Sequence, residues 1–152
     1  ALSARKYLFN ITSLNIEQCY RGKFMIHHFQ PPFMPKSDAP YSPMVLDENY
    51  AYLSGLVAAD FPGGQAVLGD VEKETQAVMT AIERMLSEFN LDMGQIVRVD
   101  VHLVTLDDFD AMDDVYREFF EKDKYPARTT TQSAGLFGGS LVEITCMARR
   151  RR

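Results

Sequence analysis

Residues 70–104 read DVEKETQAVMTAIERMLSEFNLDMGQIVRVDVHLV, and the hydrophobic period changes partway through them. Val71, Thr75, Val78, Ile82, Met85, Leu86 and Phe89 recur at three- and four-residue intervals, one stripe of a helix. Asp70 precedes the stripe as a cap, and Glu72 and Glu74 suit the positive end of the helix dipole. Asn90 can close the helix in the left-handed conformation. From Ile96 the period falls to two. Val97, Val99, Val101 and Leu103 share one face of a strand, and Arg98, Asp100 and His102 the other. A helix followed directly by a half-buried strand places this chain in a mixed class.

Working outward, the same alternation of elements repeats. Asp107 and Asp108 open a second helix, with Phe109, Met112, Tyr116, Phe119 and Phe120 on its buried side and Lys122 and Lys124 at its negative end. After Tyr125-Pro126, the Thr-rich segment from Arg128 to Ser133 favours β structure. Gly138-Gly139 marks a turn, and Leu141 to Ala148 forms a last strand. Upstream, Met44 to Leu46 and Tyr50 to Val57 flank Asp47-Glu48-Asn49 as a hairpin. The Asp60-Phe61-Pro62-Gly63-Gly64 run is a loop. Met25 to Phe29 leads into Gln30-Pro31-Pro32-Phe33-Met34-Pro35, an extended, non-helical stretch. The expected order is β-β-α-β-α-β-β, an α+β fold with one mixed sheet and two helices on one face. On the last strand, Val142, Ile144, Cys146 and Ala148 face the helices. Leu141, Glu143, Thr145 and Met147 face away, a mixed surface that suits subunit packing better than solvent.

Composition narrows the function. The 152 residues are 46% hydrophobic, enough for one domain with a substantial core. No apolar run approaches a membrane span, so no membrane partner is expected. Two cysteines do not make a disulfide scaffold. The net charge of −5 is unevenly spread: residues 1–40 carry a net +3, residues 41–148 a net −12, and Arg149 to Arg152 +4. An acidic body offers no groove for nucleic acid, and the arginine tail gives at most a short, salt-sensitive phosphate contact. Residues 1–24 form an extension without acids over its first 16 positions. Residues 25–148 form the domain, and 149–152 a basic tail. Cytoplasmic residence is the expectation, with organellar import through residues 1–24 left open.

Motifs for nucleotide binding, serine hydrolysis and zinc binding are absent. His27 and His28 point to opposite sides of an extended chain and do not share a metal. His102 reads as a hydrogen-bonded structural residue, and Cys146 as a small core residue. Asp107, Asp108, Asp110, Asp113 and Asp114 read as helix-start chemistry and a solvated face, without the Gly and Glu of a calcium loop.

Tyr125-Pro126-Ala127-Arg128-Thr129-Thr130, with Leu141-Val142-Glu143-Ile144 about a dozen residues on, resembles the C-terminal signature of the RidA (reactive intermediate/imine deaminase A) family. That family is also labelled L-PSP endoribonucleases or translation inhibitors. Pro40 to Val45, Tyr52-Leu53-Ser54-Gly55, Ile96-Val97-Arg98-Val99, Leu106 to Phe109 and Val115 to Phe120 match in order, so the resemblance covers about residues 40–148. It implies a chorismate-mutase-like fold, a homotrimer with three clefts between subunits, and hydrolysis of small 2-imino and 2-enamino acids to 2-keto acids and ammonia. It implies no metal or organic cofactor.

Residue by residue, Arg128 matches the substrate-binding arginine, whose planar fork can grip a carboxylate. Glu143 matches the glutamate that positions or activates water. Tyr41 and Ser54 match cleft-lining positions, and the backbone around Thr130 would serve the substrate. Arg128 opens one β segment and Glu143 lies in the next, so strand pairing can bring both to one cleft. Four positions depart from the common pattern: Leu56 replaces Gln, Ala81 and Asp113 replace Asn, and Thr130 replaces Cys. Leu136-Phe137 also stands for Leu-Pro. Rival readings are a pathway-specific deaminase of the 2-aminomuconate type and a non-catalytic sensor of small carboxylates. RNA cleavage is disfavoured by the acidic body.

Overall fold

The Asp70 carboxylate accepts the Lys73 backbone N–H at 3.1 Å and starts the long helix α1, Val71–Ser87. Its stripe of Val78, Met79, Ile82, Met85 and Leu86 is buried, and Asn90 adopts φ 55° just beyond its end. These contacts come from a computed structural model that describes residues 25–150. The expectations for residues 1–24 and for Arg151 and Arg152 lie outside the described residues.

Six strands make one sheet in the order β1-β2-β3-β6-β4-β5. Their bounds are β1 His27–Phe29, β2 Met44–Leu46, β3 Tyr50–Val57, β4 Ile96–Leu103, β5 Ala127–Gln132 and β6 Val142–Arg149. β4 and β5 run parallel, and every other neighbouring pair is antiparallel. The second long element, α2, spans Phe109–Arg117. Helices α1 and α2 pack on one another over one face of the sheet. Val142, Ile144, Cys146 and Ala148 of β6 are buried beneath them, the face expected of that strand. No helix among the described residues is long and apolar enough to cross a membrane.

Several details differ from the sequence expectation, each for a local reason. The extended lead-in pairs with β2 and becomes a sixth strand, His28 opposite Val45, with Phe29 edge-on to Phe89 at 4.9 Å. On β4, Val97 does not share the face of Val99. A bulge between Ile96 and Arg98 buries Ile96 and leaves Val97 39% exposed, because an extra residue reverses the alternation. A second irregularity between Leu53 and Leu56 turns both leucines into the core. Helix α2 is shorter than its apolar pattern. Asp107 and Asp108 lie in a preceding 3-10 turn, where the Thr105 hydroxyl accepts the Asp107 N–H at 3.2 Å. Phe119 and Phe120 fall beyond the helix end yet still pack on the core. β6 continues through Arg149, opposite Tyr50, and the Arg150 N–H donates to the Asn49 carbonyl at 2.8 Å, so these two arginines belong to the end of a central strand and the hairpin beside it.

Candidate active site

Arg128 lies near the start of edge strand β5, opposite Val99, and so takes the helix face of the sheet. Its guanidinium lies 4.7 Å from the centre of the Tyr116 ring and 5.5 Å from that of Phe109, both contributed by α2. Nη1 donates to Asp113 Oδ1 at 2.6 Å, and both side chains are 21% exposed. The other Asp113 oxygen accepts from Arg117 Nη2 at 2.6 Å. Asp113 is therefore not part of a solvated acidic face: it sits between two guanidinium groups. Together with Tyr116, Tyr125 and Pro126, these three charged residues line a hollow of about 380 Å³.

Polar atoms are buried in and beside that hollow. Tyr116 is 3% exposed, and its buried hydroxyl makes no well-formed hydrogen bond, only a weak approach to the Arg128 guanidinium. Burial pushes its pKa up to about 12, and the neighbouring guanidinium offsets only part of that rise. The Thr130 hydroxyl, two residues from Arg128 on the same face of β5, is also buried without a partner. The Cys146 thiol, buried under the helices, is likewise pushed up to about 12.

Glu143 occupies the opposite face. It stands between His102 of β4 and Val57 of β3 and lines a second hollow of about 420 Å³ with Tyr41, Gly55, Asp60 and Phe137. Gly55 is what admits it: a Cβ there would lie 2.4 Å from Glu143 Oε1. Asp60, read from the sequence only as a loop residue, is held by the Val57 N–H at 3.0 Å, and burial raises its carboxyl pKa. Burial and the nearby Asp60 charge raise the Tyr41 phenol. Phe137, 72% exposed, stands at the rim.

The wall of this second hollow is stapled from below. Buried Glu74 accepts the Gly69 N–H at 2.7 Å and the Leu141 N–H at 2.8 Å. The Ser140 hydroxyl accepts the Ala59 N–H at 3.2 Å, and a Cβ on Gly138 would lie 2.3 Å from that of Ala59. The Phe137 turn is thus locked onto the end of β3.

The geometry sorts the sequence-derived candidates into two groups. Tyr41 and Glu143 share one hollow, and Arg128 and Thr130 belong to the other side. Ser54 donates its hydroxyl to the Ser42 carbonyl at 2.7 Å, which ties β3 to the loop that carries Tyr41. Strand pairing does not join Arg128 to Glu143 within one chain, because β4 lies between β5 and β6. Leu56 and Ala81 are buried at 4% and 3%, so these two departures affect packing and not a pocket wall. His102 bonds Thr131 Oγ1 at 2.7 Å, as a structural histidine would. Among the described residues no group of three His, Cys, Asp or Glu side chains could hold a metal ion.

Residues 33–150 match the family described as endoribonuclease L-PSP. The chain belongs to this family. It is 36% identical over 114 residues to the 2-iminobutanoate/2-iminopropanoate deaminase of Capra hircus, covering 75% of this chain and 82% of that protein. It is 32% identical over 114 residues to a RutC family protein of Pyrococcus abyssi, covering 75% and 89%. Among solved structures, a protein described as an endoribonuclease L-PSP from Entamoeba histolytica superposes with a TM-score of 0.74 at 27% identity, over 82% of this chain and 99% of its own. RidA from Psychrobacter sp. PAMC 21119, at 24% identity and a TM-score of 0.71, shares the fold over 81% and 98%.

Proposed function

We propose that this protein hydrolyses small 2-imino acids, and the 2-enamino acids in equilibrium with them, to 2-keto acids and ammonia. The active site would be a composite cleft between subunits of a homotrimer. One observation carries the composite site: the carboxylate-gripping Arg128 and the water-activating Glu143 stand on opposite faces of one sheet, in separate hollows. A chain that holds each half of a site in a different place completes it by placing one copy's Arg128 beside another copy's Glu143. The relatives at 32–36% identity whose names specify 2-iminobutanoate and 2-iminopropanoate support the substrate class.

In this site Arg128 and the backbone near Thr130 hold the substrate carboxylate, which leaves C2 of the iminium facing Glu143. Water forms a bond to C2 while the C=N pair moves onto nitrogen, and Glu143 takes the proton that water gives up. Glu143 returns that proton to the amine of the resulting carbinolamine. The C–N bond then breaks as the hydroxyl oxygen forms the carbonyl, and the hydroxyl proton leaves with ammonia as ammonium. Tyr41 and the Ser54–Gly55 irregularity of β3 shape the wall around the reacting carbon. No step calls for a cofactor.

An amino-acid oxidase, or a pyridoxal-dependent dehydratase, would generate 2-iminobutanoate and 2-iminopropanoate beside the protein in EDTA. The expected result is faster release of keto acid and ammonia than the buffer gives, with light scattering at about three times 17.3 kDa. A protein that binds 2-keto acids without hastening hydrolysis would be a sensor, and this reading would be wrong. A clean monomer would remove the composite site.

A further inference from the structure

The Arg128 hollow has its own charge arithmetic, and it selects among imino acids. Its lining carries two cations, Arg117 and Arg128, and one anion, Asp113. Asp113 gives one oxygen to each guanidinium, at 2.6 Å in both cases. Asp114, 75% exposed and outside the lining, approaches Arg117 at 3.6 Å, a contact that solvent screens. Before any substrate arrives, then, Arg128 already has a carboxylate on one edge of its fork.

From this arrangement we infer that Asp113 is a specificity-determining residue that restricts the site to monocarboxylic 2-imino acids. The inference rests on the deaminase reading above and names its substrate class. Arg128 keeps a free edge for one carboxylate, and one negative charge completes the balance of the lining. A second carboxylate on the same substrate would meet Asp113 and, in the composite cleft, Glu143, with no unspent cation in the lining to receive it. Like-charge contacts of this kind are strongly unfavourable in a half-buried hollow. Asp113 does a second job as a positioning residue. It fixes the direction of Arg128 over the Tyr116 ring, so the fork is set before binding.

The two jobs separate in two variants, read with product-class ligands. Binding of 2-oxobutanoate and of dicarboxylic 2-oxoglutarate would be measured by calorimetry at low salt, on the assembled protein. Asp113→Asn keeps an oxygen acceptor for Arg128 and releases Arg117 to Asp114, so the fold and the fork survive. It should tighten 2-oxobutanoate about three- to tenfold, and 2-oxoglutarate by about the square of that factor, since two charges gain where one did. Asp113→Ala should show the same shift in the ratio of the two affinities, with both ligands bound more weakly than in Asp113→Asn because Arg128 loses its anchor. A purely structural aspartate would change both affinities together and leave their ratio alone. An unchanged ratio in both variants, in a parent that hydrolyses 2-iminobutanoate, overturns the role of Asp113 and leaves the deaminase reading standing. A parent that neither binds 2-oxobutanoate nor hydrolyses the imine overturns both.

Discussion

The two hollows of this chain are built by different means. Around Arg128 the work is done by side-chain charge and aromatic faces on α2: an ion pair to Asp113, a ring beneath the guanidinium and a second guanidinium beyond. Around Glu143 it is done by backbone. A bulged β3 supplies a glycine that leaves room for the carboxylate, and the Val57 N–H anchors Asp60 in the same hollow. A charged cradle suits a group that must bind an anion, since attraction acts before geometry is perfect. A backbone-defined slot suits a group that must place a proton, where an ångström of misplacement costs more than a change of field. The contrast predicts that damage to the Glu143 side acts on turnover and damage to the Arg128 side on binding.

The largest expected effect tests the turnover side. Glu143→Gln keeps the shape of the side chain and removes its ability to take a proton, so kcat should fall by about 10²–10⁴ with little change in 2-keto acid binding. Mixing this variant with Arg128→Ala is a sharper test. If the two halves meet between copies, subunits exchanged by mild denaturation and refolding should recover about a quarter of the parental sites, because one site in four then draws an intact half from each. No recovery, with mixed trimers shown by mass spectrometry, would place both groups in one chain's cleft after all.

Gly55→Ala comes next. Its Cβ would stand 2.4 Å from Glu143 Oε1, the free end of that side chain, so the carboxylate must swing aside. A loss in kcat of about 100-fold is expected, with KM nearly unchanged. Parental turnover would mean that Glu143 is mobile in its slot. On the other side, Arg128→Lys keeps the charge and loses the two-point grip. The loss of a charge-assisted hydrogen bond of about 1.5–3 kcal/mol should lower kcat/KM about 10- to 150-fold, mainly through KM.

The same contrast explains what the sequence revealed. Periodicity located α1, the hairpin and β6 because one face of each is buried and the pattern records it. The Pro-Ala-Arg and Val-Glu-Ile segments pointed to Arg128 and Glu143 as residues. Their placement on opposite faces was not legible, because it depends on β4 coming between β5 and β6, a long-range pairing that no local pattern encodes. The face of Val97 is hidden for a related reason: a bulge shifts the phase of a strand without leaving a mark in its hydrophobicity. Asp113 hid among five aspartates, four of which suit a helix start and its solvated face. In the sequence it stands out only as a departure from the family's Asn, and its contact with Arg128 shows what it does.

The smallest effect concerns the floor of the Arg128 hollow and has an unusual sign. Tyr→Phe at a buried position commonly destabilises, because a hydrogen bond is lost. The Tyr116 hydroxyl has no well-formed bond to lose, only a weak approach to Arg128, and Tyr116→Phe removes a polar group buried with little compensation. At pH 8 the variant should be as stable as the parent or more so, by up to about 1 kcal/mol in urea unfolding. Alkali should widen the gap. The phenol ionises near pH 10 in an unfolded chain but only near 12 in the fold, so above pH 10 the unfolded state releases a proton that the folded state keeps. That stability is complete below pH 10 and is lost as pH rises towards 12. Between pH 8 and 11 the parent should lose about 1 kcal/mol more than Tyr116→Phe does. Cys146, raised in the same way, weakens both proteins alike and cancels from the difference. If the gap does not grow with pH, the Tyr116 hydroxyl has found water or Arg128 as a partner. The floor of the binding hollow would then be wetter than its contacts describe.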